Sequence, residues 1–415
     1  MDTAARPARS PRAMTPPPDA VVRAARPADA EALLRVLCAA FGMDADAARP
    51  LFYADPFYDL SHKRVLVCAP AGVVSCLTVL PATLLLGGAA IPAGGIAGVA
   101  TLPAHQGRGY ASRLLTSTIH ALADELKYPL CALFPVSDDY YRRLGWETAS
   151  RAACWTGTLP GTGEIVPNSH VRRTAPQDFP AIRGLHEAAS PAQTGLCRRD
   201  PRRWRVLETM TPTWEWSLFT HNNIPTGYAA WERSEAVDSP ARIHELITLT
   251  PEARRALLSF LAREGGAQTM WQWIRAPSDA QPMGAPPPDA RVTAAPGMML
   301  RITDLLAAMR CLHPAFAPVL AQAGRALTVL AADPQRPGNE RPVRLTASGV
   351  VPGRTADREW IRASIGALAQ FYTGYVLPSE LAERGALQAS SSDALSLADQ
   401  CFPLRDSFIA PADQF

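Results

Sequence analysis

The sequence lacks any C-x-x-C pair, although it contains eight cysteines among its 415 residues. Cysteines paired at that spacing are typical of zinc sites and thiol redox centres, so both classes are disfavoured. Most of the cysteines stand among apolar neighbours, which favours buried, reduced thiols over disulfides. We therefore expect a cytoplasmic protein with no metal site. The eight are Cys38, Cys68, Cys76, Cys131, Cys154, Cys197, Cys311 and Cys401.

Charge is absent from Val65 to Gln106, a length that would permit a membrane helix. Prolines and paired glycines interrupt this segment at near-regular intervals, and such residues break helices. They are Pro70, Pro81, Pro92, Pro103, Gly87-Gly88 and Gly94-Gly95. The pattern favours turns between short buried strands over a single spanning helix.

An excess of charge is also missing. The net charge is only +3, and no block of like charges indicates binding to nucleic acid or to an anionic membrane. With 47% hydrophobic residues the chain can form sizeable cores, and its length allows two to three domains. The first twenty residues are rich in Arg, Pro and Ala and have no apolar run typical of a signal peptide. They predict a disordered tail, or a true start at Met14.

One segment of the chain occurs twice. Val21 to Phe41 matches His170 to Ser190, and each copy predicts a short strand followed by Pro-x-Asp at the entrance of an amphipathic helix. The identical positions include Val22, Arg23, Pro27, Asp29 and Ala32, which match Val171, Arg172, Pro176, Asp178 and Ala181 without a gap. The repeat predicts two domains of one fold.

The two repeats differ at a later strand–helix junction. The first has "TLPAHQGRGYASRLL", with Gly107 and Gly109 before the helix, whereas the second has "ITLTPEARRALLSFL" without a glycine loop. A glycine loop that leads into a helix presents free backbone N–H groups, which suit a pyrophosphate. Taken alone, the loop is equally compatible with a tight turn that needs flexible glycines.

Two motifs together resemble the GNAT acyltransferase superfamily. Gln106-x-x-Gly109-x-Ala111 is similar to its Q/R-x-x-G-x-G/A signature, which holds the pyrophosphate of acetyl-coenzyme A. Further along, Tyr141, Leu144, Gly145 and Trp146 resemble the tyrosine–x–x–leucine–glycine–aromatic motif that follows the superfamily's fifth strand, which splays from the fourth to admit pantetheine. The order and separation of the two motifs also match.

The resemblance implies roles for particular residues. Backbone groups of Ala100, Thr101 and Leu102 would contact the pantetheine, and Val136 and Ser137 would line the acetyl end. The pyrophosphate would be held by Arg108, Gly109, Tyr110, Ala111, Ser112 and Arg113. Tyr141 is the expected general acid, while the alternative for it is ordinary packing beside Tyr140. Cys131, in the expected fifth strand, is interpreted as structural rather than nucleophilic.

A GNAT domain followed by a degenerate copy resembles the Eis (enhanced intracellular survival) family of N-acetyltransferases. That family adds a C-terminal domain similar to sterol carrier proteins, and this chain has room for one. The expected fold class is α/β (α+β), with two tandem GNAT-type domains, the second degenerate, and a sterol-carrier-protein-like α+β domain. The expected ranges are a tail at 1–20, a GNAT domain at 21–160, a degenerate GNAT-like domain at 165–295 and the third domain at 296–415.

Local patterns in the third domain agree with that expectation. Gly297 to Arg310 predicts a strand leading into a helix, and residues 325–333 and 341–349 alternate like antiparallel strands. Residues 358–375 predict an amphipathic helix.

The sequence also departs from the family pattern. Gln106 and Gly107 stand where basic residues are common, which predicts weaker coenzyme binding. Asp138 and Asp139 stand where glycines and a glutamate are frequent, which could alter acceptor preference.

The family uses its C-terminal carboxylate as the base, so Phe415, the last residue here, is the expected second catalytic residue. The resemblance further implies a homohexamer.

The leading hypothesis is an acetyl-coenzyme A-dependent N-acetyltransferase acting on aminoglycoside- or lysine-type amines. The alternative is a non-enzymatic carrier or sensor that binds a hydrophobic ligand in the C-terminal domain. A carrier has no reason to retain the glycine loop and Tyr141 in only one repeat, which favours the enzyme. Candidate acceptor-binding residues are Asp44, Asp46, Asp55, Asp59, Phe52 and Trp204.

Overall fold

The computed structural model describes residues 20–159, 169–189, 197–234, 239–266, 268–277, 279, 289–295 and 297–415. The expected tail at 1–20 lies outside the described residues except for Ala20. The expected domain limits at residues 160, 165 and 296 lie outside them too. The described chain divides into two compact units: unit 1 comprises residues 20–80 and 95–126, and unit 2 comprises residues 81–94 and 127–415.

Unit 1 contains a small sheet and three helices. In chain order these are β1 Val21–Ala24, α1 Ala30–Phe41, α2 Ala45–Ala54, β2 Lys63–Cys68, the first part of β3 Gly72–Leu86, the last part of β4 Ala89–Thr101 and α3 Tyr110–Asp124. β2 pairs antiparallel with both β1 and β3. Leu33 and Val36 of α1 pack with Val65, Val73 and Ala100 to form the core of this unit.

Unit 2 begins with the remaining parts of β3 and β4 and continues through most of the chain. Its next elements are β5 Leu130–Leu133, α4 Asp138–Arg142, β6 Glu147–Thr148, β7 Ala152–Thr158, β8 Ser169–Arg173, α5 Phe179–Ala189, α6 Pro201–Thr209, β9 Glu215–His221, β10 Ile224–Glu232, β11 Ala241–Thr248, α7 Pro251–Gly265, β12 Met270–Arg275, β13 Arg291–Ala295 and β14 Met299–Ile302. The last elements are α8 Leu305–Ala323, β15 Leu327–Ala332, β16 Val343–Thr346, β17 Gly349–Pro352, β18 Trp360–Ser364, α9 Ile365–Tyr372, α10 Pro378–Glu383, β19 Leu387–Ala389 and α11 Ser392–Cys401.

Two strands of unit 2 are exchanged between sheets. β7 follows β6 directly in the chain, yet it pairs with β12 and β13 in the sheet ordered β13-β7-β12-β11-β10-β9-β8. Conversely, β14 follows β13 but lies between β5 and β6, antiparallel to both. The order β5-β14-β6 therefore has the same form as β12-β7-β13, with the middle strand supplied in each case by a distant part of the chain. Short-range sequence patterns carry no information on this exchange.

The two copies of the sequence repeat form the same arginine–aspartate and backbone contacts. After β1, the Asp29 carboxylate binds Arg23 at 2.5 and 3.0 Å and accepts the N–H of Arg26 at 2.7 Å. After β8, the Asp178 carboxylate binds Arg172 at 2.6 and 2.7 Å. It also accepts the N–H of Ala175, at 2.8 Å. The aspartate in each Pro-x-Asp thus fixes both the strand end and the turn into the helix.

The charge-free segment forms long strands, so the expectation of several short ones is wrong. Turns occur after β2 and at Gly87-Gly88, whereas Pro81 lies inside β3 and Pro92 inside β4. Proline is tolerated in a strand wherever its missing N–H is not needed for pairing, so it does not always end one. Within the described part of the chain, no helix is both long and apolar enough to cross a membrane.

The third sheet is ordered β17-β16-β15-β18-β19 and packs with α8 and α9 in one core shared with β5 and β14. The strand and helix predicted over Gly297 to Arg310, and the strands at 325–333 and 341–349, are confirmed. The helix predicted over 358–375 is wrong in its first part, because β18 occupies Trp360–Ser364 before α9 begins. Burial alternates along β18, with Ile361 and Ala363 buried, and this period of two outweighs the helical pattern there.

All eight cysteines are free, and six of them are buried. Burial raises the pKa of Cys76 to about 12 and also raises that of Cys131 in β5. A thiol with a raised pKa stays protonated at neutral pH and is a poor nucleophile. The structure thus agrees with the structural interpretation of Cys131.

Candidate active site

The start of α3 in unit 1 carries the glycine loop. Gly109 occupies the N-cap position with φ +75° and offers no side-chain cap, and no acidic residue lies in the first turn. Gly107 has φ +74°. The first N–H groups of a helix have no carbonyl partner within it, and the helix dipole adds positive potential there. The N-terminus of α3 is therefore suited to an anion.

Most other helices satisfy these N–H groups themselves. A side-chain oxygen of the N-cap residue accepts an N–H of the first turn in α2 (Asp44), α6 (Asp200), α7 (Thr250), α8 (Asp304), α9 (Ser364) and α11 (Ser391). The contrast with α7 is the most informative, because α7 follows β11 as α3 follows β4. In α7, Thr250 accepts the N–H of Ala253 at 3.2 Å, Pro251 has no N–H, and Glu252 places a carboxylate in the first turn.

The residues before the loop are fixed by a hydroxyl group that the sequence analysis missed. Ser75 of β3 is fully buried, donates to the carbonyl of Ala100 at 2.7 Å and lies 2.8 Å from Oγ1 of Thr101. Leu102 donates its N–H to Val74 at 2.9 Å, and the Gln106 amide donates to the carbonyl of Thr101 at 3.3 Å. A contact between Leu102 and pantetheine would therefore have to use a group other than its N–H.

Side chains of the loop differ in burial. Tyr110 is buried, and a hydrogen bond with Cys68 raises the pKa of its hydroxyl. Its side chain is thus buried and bound to Cys68 within unit 1. Arg108 is exposed, and Ala111, Ser112 and Arg113 are half-buried. The expected pyrophosphate residues thus lie on one loop and the first turn of α3.

In unit 2, Tyr141 lies in α4, at the start of a tight turn built by the second motif. The carbonyl of Tyr141 accepts the N–H of Leu144 at 2.9 Å and that of Trp146 at 3.2 Å. Gly145 has φ +89°, and a Cβ there would lie 1.7 Å from Nη1 of Arg301. That nitrogen of Arg301 donates to the carbonyl of Leu144 at 2.7 Å. The glycine of the motif is therefore required both by its backbone angle and by the arginine from β14.

The Tyr141 ring is 8% exposed and packs edge-on against Tyr140 and Trp146. Burial raises the pKa of Tyr141, so its hydroxyl is protonated at neutral pH. Among the described residues its hydroxyl has no hydrogen-bond partner. A protonated hydroxyl without a partner can donate to a substrate.

Val136 and Ser137 lie between β5 and α4 and are both exposed, Val136 by 98%. A single exposed apolar side chain is common on protein surfaces, so this exposure does not by itself identify a ligand contact. Asp138 and Asp139 are engaged within α4, where Arg142 binds them at 3.0 and 3.1 Å. Their charges are partly neutralised there.

The last residue packs against the strand that leads to this turn. The ring of Phe415 lies 5.5 Å from the ring of Phe134, in edge-to-face geometry, and is partly buried against the core of unit 2. Phe134 follows β5 directly, two residues before Val136. Unit 2 therefore brings Phe415 to the same strand end as Val136 and Ser137. No sequence signal marked Phe134 as the partner of Phe415.

Several expected acceptor-binding residues have other contacts. Trp204 is buried, with the guanidinium of Arg199 at 4.8 Å from its ring, so it belongs to the core of the second repeat. Asp44 caps α2, and Asp55 and Asp59 accept backbone N–H groups of Phe57 and Ser61. Phe52 packs against the ammonium group of Lys63, whose Nζ is 5.2 Å from the ring. Asp46 lies in the first turn of α2.

Comparison with known proteins defines the class to which this fold belongs. A family model for an acetyltransferase (GNAT) domain matches residues 21–149, and a second such model matches residues 195–302. Together the two models cover more than half of the chain, and the chain belongs to the GNAT acetyltransferases. A sterol carrier protein domain model matches residues 315–410. With two GNAT domains followed by this third domain, the protein is a GNAT N-acetyltransferase that carries a sterol-carrier-type domain.

Individual relatives are consistent with this assignment. An uncharacterized N-acetyltransferase of Streptomyces griseus is 25% identical over 318 residues, which are 68% of this chain and 74% of the relative. One from Streptomyces avermitilis is 24% identical over 344 residues, 76% and 79% of the two chains.

Among solved structures, a GCN5-related N-acetyltransferase from Anabaena variabilis has a TM-score of 0.80 at 22% identity, with 95% of this chain and 100% of that chain covered. Eis1 from Mycobacterium abscessus has a TM-score of 0.72 at 19% identity over 95% and 100% of the chains. At these identities, the likeness to the solved structures establishes the fold.

Proposed function

We propose that this N-acetyltransferase transfers the acetyl group of acetyl-coenzyme A to an amine of the aminoglycoside or lysine type. GNAT acetyltransferases use acetyl-coenzyme A as co-substrate. The observation that carries the proposal is the N-terminus of α3, which has no side-chain cap behind Gly109, whereas α7 in the second repeat is capped by Thr250. Only the first repeat is thus suited to the pyrophosphate.

In this proposal the backbone of the loop and of the first turn, Arg108 to Arg113, binds the pyrophosphate. The guanidinium groups of Arg108 and Arg113 add positive charge near it. Ala100, Thr101 and Leu102 contact the pantetheine through backbone groups, and Val136 and Ser137 contact the acetyl end. Binding both substrates together lets the amine attack the thioester directly, so that no covalent enzyme intermediate is needed.

Two residues move protons. Tyr141 donates its phenolic proton to the departing thiolate as the carbon–sulfur bond breaks. The carboxylate of Phe415 accepts the proton that the amine loses as the carbon–nitrogen bond forms. A free α-carboxyl has a pKa of about 3.3–3.7, so it is a weak base and would act through a bound water or by orienting the amine.

The experiment is a thiol-release assay with acetyl-coenzyme A and a panel of aminoglycosides, polyamines and lysine peptides. We expect the wild-type protein to turn over at least one amine class. Tyr141→Phe should lower kcat about ten- to a hundredfold, because help from a general acid is lost, with an unchanged dissociation constant for acetyl-coenzyme A. Tyr140→Phe is the matched control and should remain near wild type.

Each outcome bears on a different part of the proposal. Absence of thiol release with every amine would contradict the acceptor class. Normal turnover of Tyr141→Phe would reduce Tyr141 to a packing residue. A Tyr140→Phe variant as impaired as Tyr141→Phe would indicate that the ring cluster, rather than the proton, matters.

We also propose that the protein assembles as a homohexamer, as its likeness to the Eis family implies. Light scattering at micromolar concentration tests this expectation directly. A monomeric mass would contradict it and would leave the catalytic proposal untouched.

A further inference from the structure

The chain after α11 has little regular structure, yet its end is held by a buried ion pair. Arg199 donates from Nε to Oδ1 of Asp413 at 2.7 Å and from Nη2 to Oδ2 at 3.0 Å. Both side chains are 0% exposed. Asp413 closes a short 3₁₀ turn, Pro411–Asp413, and stands two residues before Phe415.

The arginine is itself fixed by the second repeat. The same guanidinium binds Glu245 of β11 at 2.6 and 3.0 Å, and the hydroxyl of Tyr228 donates to Glu245 at 2.7 Å. Burial alone would lower the pKa of Arg199, but the Asp413 and Glu245 carboxylates raise it well above its ordinary value. The guanidinium is therefore permanently charged between two carboxylates.

His186, Glu245 and Asp413 also have ligand atoms within 4.8 Å of one another, as in some metal sites. However, Arg199 already donates two hydrogen bonds to each carboxylate. The positive charge that these carboxylates face is thus the guanidinium. The cluster is better explained as the anchor of the terminal segment.

Further contacts hold the same segment along the second repeat. Ala412 is buried beside Trp204 and Tyr228, and the guanidinium of Arg203 donates to the carbonyl of Gln414 at 3.4 Å. Upstream, Phe408 and Ala410 form part of the wall of a cavity of about 560 Å³ that is also lined by β11 and α7. Apolar contacts of this kind are not directional, whereas a planar guanidinium bound through two nitrogens fixes both position and rotation.

We propose that Arg199 and Asp413 are positioning residues that hold the Phe415 carboxylate in its catalytic place. The inference rests on the proposed function, in which that carboxylate is the base. Since a misplacement of about 1 Å can cost roughly a hundredfold in rate, a two-residue span between the anchor and the base leaves little freedom. The second repeat, which has no glycine loop, thereby contributes to catalysis by fixing the end of the chain.

The test combines Asp413→Asn with an extension of three residues, Gly-Gly-Ser, after Phe415. We expect Asp413→Asn to lower kcat about ten- to a hundredfold while KM for acetyl-coenzyme A stays unchanged. In the extended protein, whose base is already displaced, Asp413→Asn should cause no further loss. A merely structural role would lower kcat equally in both backgrounds.

Arg199→Lys keeps the charge but loses the two-nitrogen geometry, and it should behave like Asp413→Asn. Arg199→Lys therefore tests the same ion pair if Asp413→Asn fails to fold. Asp178→Asn is the matched control, because it breaks an Arg–Asp pair of the same repeat that does not touch the terminal segment, and it should leave kcat unchanged.

The outcomes test the Arg199–Asp413 anchor and the Phe415 base separately. If the extension lowers kcat but Asp413→Asn and Arg199→Lys do not, the anchor is overturned and the base survives. If the extension leaves kcat unchanged, the proposed base fails and the anchor's role fails with it. An equal loss from Asp413→Asn with and without the extension overturns the positioning role alone.

Discussion

α3 and α7 occupy the same place in the two repeats, each following the fourth strand of its repeat, but they begin differently. α3 starts behind Gly109 without a side-chain cap, whereas α7 starts with Thr250, Pro251 and Glu252. The carboxylate of Glu252 accepts a hydrogen bond from its own backbone, which lowers its pKa, and it remains charged at the positive end of the helix. The first turn of α7 is thus capped by its own residues, whereas that of α3 has no side-chain cap.

The difference is local, because the rest of the two repeats is closely matched. The Arg23–Asp29 and Arg172–Asp178 pairs have the same geometry, and the order β5-β14-β6 has the form of β12-β7-β13. The two repeats therefore share a fold while they differ in a few residues at one helix start, where we propose that the first repeat binds the pyrophosphate. A shared fold does not by itself imply a shared function, which depends on the residues of the site.

The largest expected effect comes from closing the α3 site. Gly109→Val should abolish acetyl-coenzyme A binding, a loss of more than about a hundredfold, because a side chain would occupy the space of the pyrophosphate. Gly107→Val is the matched control, since Gly107 has nearly the same φ, +74° against +75°, and the same backbone strain. Isothermal titration calorimetry should show a much smaller loss for it.

Equal losses in both glycine variants would mean that strain in the loop, rather than the space at Gly109, controls affinity. An unchanged affinity in Gly109→Val would remove the main support for a coenzyme site.

A smaller effect is expected from making α3 resemble α7. Ala111 is the second residue of α3, as Glu252 is the second residue of α7. Ala111→Glu should stabilise the fold by about 0.3–1 kcal/mol through the helix dipole. It should also weaken acetyl-coenzyme A binding about tenfold, because the added carboxylate repels the pyrophosphate.

The distinguishing result is a gain in stability, measured by thermal unfolding, together with a loss of acetyl-coenzyme A affinity, measured by calorimetry. Ala111→Gln has the same shape without the charge and should retain more of the affinity. If Glu and Gln weaken binding equally, bulk rather than charge is responsible.

The smallest effect, on the free energy of unfolding, is expected at the arginine–aspartate pair that both repeats contain. Asp29→Asn and Asp178→Asn should each lower the free energy of unfolding by about 1 kcal/mol, since each loses one arginine pair and weakens one cap. The Arg172 side chain lowers the pKa of Asp178 to about 2, below its unfolded value of about 3.9. Its stabilisation is therefore complete above pH 4 and is lost as the pH falls through about 2.

The difference in stability between wild type and Asp178→Asn should accordingly be constant at neutral pH and vanish below about pH 2. Asp29 has a pKa lowered by Arg23 and should show the same direction. A difference that grows with acidity would contradict this assignment of the charge.

The local contacts of the repeat and the position of the glycine loop could be predicted from short spacings. Arg23 and Asp29 are six residues apart, and the glycine loop and the start of α3 lie within one run of residues, so local chemistry identifies them. The helix predicted over 358–375 was wrong in its first part because the local pattern there fitted two periods. Pairing of β18 with β15 and β19 decided between them.

The sequence by itself determined the repeat, the loss of the glycine loop in its second copy, and the turn around Tyr141, because each depends on neighbours in the chain. Only the tertiary structure decided what supports them. Arg301 reaches the carbonyl of Leu144 across 157 residues, and Arg199 reaches Asp413 across 214. Such pairs form because a buried guanidinium needs hydrogen-bond acceptors, and packing decides which residues supply them. No periodicity in the sequence predicts which distant residues these are.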